Sequence, residues 1–356
     1  MPNRTTASPE PASAAVATVG AVGGLQAQVA SAAELMLWAR SDRLVPGALD
    51  RLLWVERALA KTWTMRGTLH VVPPDDIALL GAARGGYEPF PDSWLRYFEI
   101  SRADFDLLMD TVSAALSDQP LSRRQLAEAV AHRAHPELGR QLLGGWGTFL
   151  KPLARRGLLI NGPPRGQEAT FVSADTWFGP RRLWTPAEAG PEVVRRYLGT
   201  FGPATRADYA RWLGARPPWG RQAWVAAAAG LEEVEVDGRR LWMLAVDVPH
   251  LEAAEPDPRV RLLGPFDTWV LGHADRSHLF TEAQRPLVSR TAGWISALVL
   301  RGGRVAGTWT YKKDARGLEV TVALFAPLPA PGRKQLKAEA ERLVEFLGGP
   351  LTLKID

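Results

Sequence analysis

Two stretches of the chain share one helix–helix–hairpin grammar, an earlier stretch repeats it more weakly, and the pattern changes to strands after Arg259. Together these predict an α+β fold: three tandem winged-helix motifs followed by a small antiparallel, β-rich and barrel-like C-terminal part. The 356 residues are enough for several compact units, and 46% hydrophobic with 23% charged residues is ordinary globular composition.

Residues 1–20 (MPNRTTASPEPASAAVATVG) form a Pro-, Ser- and Ala-rich leader. Its first eight or so residues are expected to be disordered, and a short helix over Ala12–Val22 to stop at Gly23-Gly24. The leader has no continuous apolar core, so it does not read as a signal peptide. The first winged helix is assigned to 21–118. Leu35–Arg40 and Ala48–Leu59 are helical in pattern, and Thr62–Val72 (TWTMRGTLHVV) is β-like with a bend at Gly67.

The second copy is assigned to 119–190. Leu121-Ser122-Arg123-Arg124-Gln125 is a capped helix start, and a further helix over Gly147–Arg156 should end at Gly157. Leu158–Ile160 and Ala169–Val172 then flank a turn expected at Asn161-Gly162-Pro163-Pro164. The third copy, 191–256, has a helix at Ala204–Leu213, another from about Arg221 to Ala229, and a hairpin. Asp237-Gly238 between Val234–Val236 and Leu241–Leu244 is a strong hairpin signal, because both turn positions favour positive φ.

Residues 257–356 read as strands at Val260–Leu263, Trp269–Leu271, Ala297–Leu300, Val305–Tyr311 and Leu318–Phe325, with Gly302-Gly303 as a tight turn. A helix over Arg333–Leu347 and a last strand, Leu351–Ile355, close the chain.

Composition narrows the chemistry. There is no Cys, which excludes a thiolate nucleophile, a disulfide framework and a Cys-ligated metal, and no apolar run reaches eighteen residues. A cytoplasmic protein is expected. No phosphate-binding or dinucleotide glycine fingerprint appears, and no G-x-S-x-G. His132, His135 and Glu137 lie close in sequence, but a metal needs three or four converging ligands, so none is expected. Lys supplies only seven of the 43 basic residues and Arg the remaining 36, at a net charge of +5. A GC-rich coding sequence explains that bias as readily as a phosphate-binding surface does. The 14 Trp fall mostly in apolar periodic stretches and read as core.

Two polar clusters stand out. Gln26 and Gln28, in Gly24-Leu25-Gln26-Ala27-Gln28, point the same way if the segment is extended, and otherwise form a polar helix start. Thr68 and His70, in Met65-Arg66-Gly67-Thr68-Leu69-His70, alternate likewise, and otherwise are the wet side of a strand edge.

These two clusters, with Leu37-Trp38-Ala39-Arg40 between them and Thr64–Val72 around the second, resemble the AlkZ/YcaQ family of bacterial DNA glycosylases. So do Leu262–Asp267, Asp275-Arg276, Gly293-Trp294-Ile295 and Val305–Trp309, in the same order. The resemblance runs from about residue 21 and carries a fold of three tandem winged helices with a β-rich C-terminal part. It implies hydrolysis of the N-glycosidic bond of alkylated purines, chiefly N7-alkylguanine, including bulky adducts and interstrand crosslinks. It places this chain in the Gln-x-Gln group, linked to base excision repair and self-resistance in producers of DNA-alkylating antibiotics.

On that resemblance the catalytic residues are Gln26 and Gln28. Arg66, Thr68 and His70 are the DNA- or substrate-binding candidates, Arg66 toward a phosphate. Asp267, Asp275 and Arg276 read as turn and core-supporting residues. The partner is double-stranded DNA with alkylated bases. No cofactor, metal or membrane is implied, and a monomer associated with the nucleoid is expected. No Lys adjoins either Gln, so a monofunctional enzyme is expected rather than a Schiff-base lyase. The alternative is a non-enzymatic winged-helix DNA-binding regulator, which would not need the Gln pair.

Overall fold

The computed structural model describes residues 11–85, 91–145, 147–255 and 257–356. The first ten residues, and the disorder expected of them, lie outside this range. Helices and small sheets alternate along the chain: a three-stranded sheet, a second three-stranded sheet, a two-stranded hairpin and a five-stranded sheet. Among the described residues, no helix is long and apolar enough to cross a membrane.

The leader helix spans Ala12–Ala21 and gives way to Gly23 and Gly24, both at positive φ. Gly24 is needed twice over, since a Cβ there would also lie 2.9 Å from Val72 Cγ1. This turn delivers strand β1 (Leu25–Gln26) antiparallel to β3 (Leu69–Val72), with β2 (Ala60–Trp63) on the other side. The helix Ala30–Trp38 follows β1. The helix expected over Ala48–Leu59 is shorter: Ala48–Asp50 passes into one π-helical turn, Arg51–Val55, and the amides of Ala58 and Leu59 both fold back onto Leu52 O. The single β-like stretch expected over Thr62–Val72 is divided by a 3₁₀ turn at Met65–Gly67.

The second sheet comprises β4 (Leu121–Ser122), β5 (Leu159–Arg165) and β6 (Glu168–Ser173), in the order β4-β6-β5. Ser122 and Gln125 form the capping box that opens the helix Arg123–Arg133. The helix expected from Gly147 begins only at Lys151, because Gly147 sits at φ 72 against the Trp63 ring. It ends before Gly157 (φ 74), as expected. The hairpin turn is not at Asn161–Pro164 but beyond it, around Gly166, with a register shift between Gly162 and Arg165. On an edge strand Pro163 and Pro164 need donate no ladder hydrogen bond, so the strand continues through them.

Further along, Thr185 and Thr205 cap the helices Pro186–Phe201, which crosses the boundary expected at 190/191, and Arg206–Leu213, and Gly214 (φ 69) stops the latter. The helix Pro217–Ala227 leads to a hairpin of β7 (Leu231–Val236) and β8 (Arg239–Leu244). Asp237 (φ 51) and Gly238 (φ 71) turn it, as their pairing predicts.

The last sheet runs β13-β12-β11-β10-β9, from β9 (Val260–Leu263), β10 (Ala297–Arg301), β11 (Arg304–Asp314), β12 (Gly317–Leu324) and β13 (Leu351–Ile355). It is open rather than a closed barrel, and its final pair, β12 with β13, is parallel. The helix Ala330–Leu347 is the crossover that reverses direction. Trp269–Leu271, expected as a strand, lies in a short helix, Thr268–Leu271, because the Asp267 carboxylate accepts the Trp269 amide at 2.9 Å and caps it.

The family-like blocks of sequence meet here. Leu35 and Trp38 belong to the core of the last sheet. Gly264 packs where a Cβ would stand 2.8 Å from Leu35 Cβ, and Trp309 Nε1 donates to Leu263 O at 2.9 Å. Arg40 binds the fully buried Asp267 through two hydrogen bonds of 2.8 and 2.7 Å. Burial alone would lower the Arg40 pKa, but the Asp267 charge and its hydrogen bonds hold it above its usual value.

Removing one member of such a pair strands a buried charge, at about 3–5 kcal/mol. Asp267→Ala should therefore lose about that much stability in urea unfolding. The double variant Arg40→Met/Asp267→Leu should recover part of the loss; no recovery would show that the cost lies in packing rather than charge.

Candidate functional site

The register of the first sheet sets the site. Gln26 stands directly opposite His70, and Thr62 opposite His70 from the other side, so the three share one face. Gln26 and His70 are 8% and 1% exposed. Thr62 Oγ1 donates to Leu159 O at 3.1 Å, which ties this face to the second sheet.

Between β2 and β3 the chain turns through Arg66 (φ 55) and Gly67 (φ 71). Positive φ costs a residue with a Cβ about 1–2 kcal/mol. What it achieves is to fold the Arg66 side chain back over the sheet. Its Nη2 donates to Gln26 Oε1 at 2.9 Å and lies 3.4 Å from His70 Nε2, while Nη1 donates to Trp212 O at 2.7 Å. That carbonyl belongs to the last turn of the helix Arg206–Leu213, the negative end of its dipole. Gly214, just beyond, must be glycine for close approach: a Cβ there would sit 2.8 Å from Arg66 Cα.

Arg66 also fixes the state of His70. His70 Nδ1 lies 3.0 Å from Thr68 O, a pure acceptor, so Nδ1 carries the hydrogen. Nε2 faces a guanidinium, which only donates, so Nε2 is bare. Burial foremost, then the Arg66 charge, pushes the His70 pKa down to about 3 despite the Thr68 carbonyl. Imidazole is neutral here.

Gln28 lies at the exposed rim, its Oε1 3.5 Å from the Leu69 amide, a long contact. Thr68 holds the turn, its hydroxyl donating to Met65 O at 3.2 Å. Thus Gln26, Arg66 and His70 form one bonded cluster, Gln28 borders it, and Thr68 supports it through its carbonyl. Gln26 and Gln28 differ in burial although they alternate.

Around the cluster the cations meet mainly one another. Burial first, then Arg276 and Arg211, lower the Arg66 pKa to about 10. Burial, then Arg155 and Arg66, do the same for Arg84, whose Nη1 donates to Thr64 O. Burial, then Arg211 and Arg285, bring Arg276 to about 10, and burial with Arg84 lowers Lys151. The three arginines remain protonated at neutral pH. Sequence reasoning passed over Arg84, Arg211 and Trp212 because they approach Arg66 only through tertiary packing. Arg276 was visible in a family-like block, yet read as supporting. Among the described residues, no group of three or more His, Asp and Glu is placed to hold a metal ion. A cavity of about 400 Å³, lined by Phe201, Asp208, Leu241, Trp269, His273 and Asp275 among others, does not include Gln26 or Gln28.

Comparison with known proteins places this geometry. A family model described as DNA glycosylase AlkZ-like matches residues 19–346. The chain is 36% identical over 302 residues to an interstrand DNA cross-link repair glycosylase of Streptomyces sahachiroi, spanning 82% of this chain and 80% of that protein. Its fold matches the solved structure of Streptomyces sahachiroi DNA glycosylase AlkZ with a TM-score of 0.87 at 32% identity, over 98% of this chain and 94% of the other. With a cluster of neutral amide and imidazole groups ringed by cations, and with these three matches across most of its length, the chain belongs to the AlkZ-like family of DNA glycosylases.

Proposed function

We propose that this glycosylase hydrolyses the N-glycosidic bond of alkylated purines in double-stranded DNA, chiefly N7-alkylguanine, including bulky adducts and crosslinks, with Gln26 and Gln28 as catalytic residues. In this reading it is monofunctional, acts as a monomer without a cofactor, and serves base excision repair and protection against a DNA-alkylating natural product. The observation that carries the reading is a face of non-titrating groups within a tract of cations. Phosphates are the natural partners of the cations. The neutral face suits a lesion that needs no acid: N7 alkylation already makes the base cationic, so it departs neutral with the electron pair of the glycosidic bond.

What remains is an oxocarbenium-like sugar. Water adds to its anomeric carbon, releases a proton to solvent, and leaves an abasic site. An amide is no base, so the gain comes from holding that water in place. Lys61 neighbours Thr62 on β2 and so projects to the opposite face of the sheet, which supports a hydrolytic rather than a Schiff-base route. Gln28 at an open rim suits lesions too large for a closed pocket.

The test is duplex DNA carrying one N7-methylguanine, with abasic sites read by alkaline cleavage. Gln26→Ala and Gln28→Ala should each slow single-turnover excision at least roughly tenfold, about 1.4 kcal/mol of barrier, with little change in DNA affinity. If both variants fold and excise at the wild-type rate, the pair is structural.

The pH dependence follows from the shifts. With His70 titrating near 3 and Arg66 near 10, excision should be flat from about pH 5 to about 9 and fall as Arg66 loses its proton. Stability behaves differently. Unfolded His70 takes up a proton near its ordinary value and the folded chain does not, so stability should fall as pH drops from about 6.5 toward 3. A bell-shaped rate profile centred near neutrality would point to a general acid or base instead.

A further inference from the structure

We infer that Gln26 and Gln28 are not interchangeable: Arg66 holds the Gln26 amide oxygen inward, so Gln26 meets the reacting water with its N–H donors and Gln28 alone supplies the acceptor. This rests on the reading of the pair as catalytic. The argument begins with donors. A guanidinium has no acceptor, so the Gln26 atom 2.9 Å from Arg66 Nη2 must be its oxygen. The neutral His70 and the Trp212 carbonyl fix the guanidinium from two further directions. The amide rotamer is thereby set, and its Nε2 has no partner among the described residues and is not sealed from solvent.

An N–H group aimed at a developing sugar cation would oppose it. Its useful target is an acceptor, and the water oxygen is one. A Gln26 N–H bonded to one water lone pair and Gln28 Oε1 accepting one water O–H leave the second lone pair free for the anomeric carbon. On attack, the proton passes to solvent. Arg66 is then a positioning residue, although its sequence context suggested a phosphate contact.

Shape-preserving substitutions separate the roles. Gln26→Glu keeps the size, gains an ion pair with Arg66 and loses both donors. Gln28→Glu keeps its acceptor. In single-turnover excision of N7-methylguanine, Gln28→Glu should be at least ten times faster than Gln26→Glu, and the melting temperature of Gln26→Glu should not fall. Equal rates, or the reverse order, overturn the inference while leaving the glycosylase reading intact.

Arg66→Met should lower the excision rate at saturating enzyme at least fivefold, and Arg66→Lys should restore part of it. The slope of log affinity against log salt on undamaged duplex should not change. A slope shallower by about 0.9 would make Arg66 a phosphate ligand and overturn the assignment. The bond itself is read without turnover: in a double-mutant cycle of Gln26→Ala and Arg66→Met, the losses in unfolding stability should be less than additive, and additivity would overturn it. Failure of the wild-type protein to excise N7-methylguanine would count against the function instead, with the cycle still deciding the bond.

Discussion

A guanidinium withdrawn from water with no carboxylate to meet it among the described residues, at Arg66, is what the site is arranged around. Such burial is costly, and it is offset piecemeal. One nitrogen finds the carbonyl end of a helix dipole at Trp212, another finds Gln26 Oε1, and His70 turns an unprotonated nitrogen toward it. Each compensation constrains a further residue. Gly214 must lack a side chain, the turn must pass through positive φ, and the His70 ring must bind the Thr68 carbonyl to keep its tautomer.

Arg40 makes the contrast plain. It too is largely buried, but Asp267 meets it with both oxygens. That pair is internally neutral and acts as a bolt between the end of the helix Ala30–Trp38 and the start of the helix Thr268–Leu271. For Arg66, Arg84 and Arg276 burial first, and then the like charges of neighbouring arginines, depress the pKa. The same residue type thus joins two segments where a carboxylate meets it and orients a neutral amide where carbonyl and amide oxygens meet it instead.

Much of this was legible in the chain. Ser122–Gln125, the helix stop at Gly157 and the Asp237-Gly238 turn are local chemistry, and each local signal is realised. The blocks around Arg40, Asp267 and Trp309 were separate in sequence and are one contact in space. What local reasoning misplaced depends on neighbours far along the chain. Pro163 and Pro164 read as a turn because nothing local says that β5 is an edge. Trp269–Leu271 read as a strand because its apolar run hid the capping carboxylate of Asp267. The parallel entry of β13 follows from a helical crossover, not from its own residues. In the site, alternation correctly paired Gln26 with Gln28 but could not show that they sit in different surroundings, since Arg66 reaches only one of them.

The bolt between Arg40 and Asp267 spans 227 positions of sequence. On the ribosome, the helix Ala30–Trp38 and Arg40 just beyond it therefore emerge long before the strands that cover them. Until then the apolar face and the cation are open to water and to chaperones. Gln26 likewise waits for Trp212 and Gly214, and its cationic surround for Arg276. The centre has no early, half-built form: a nascent or prematurely terminated chain would carry both glutamines and still lack the frame that aims them.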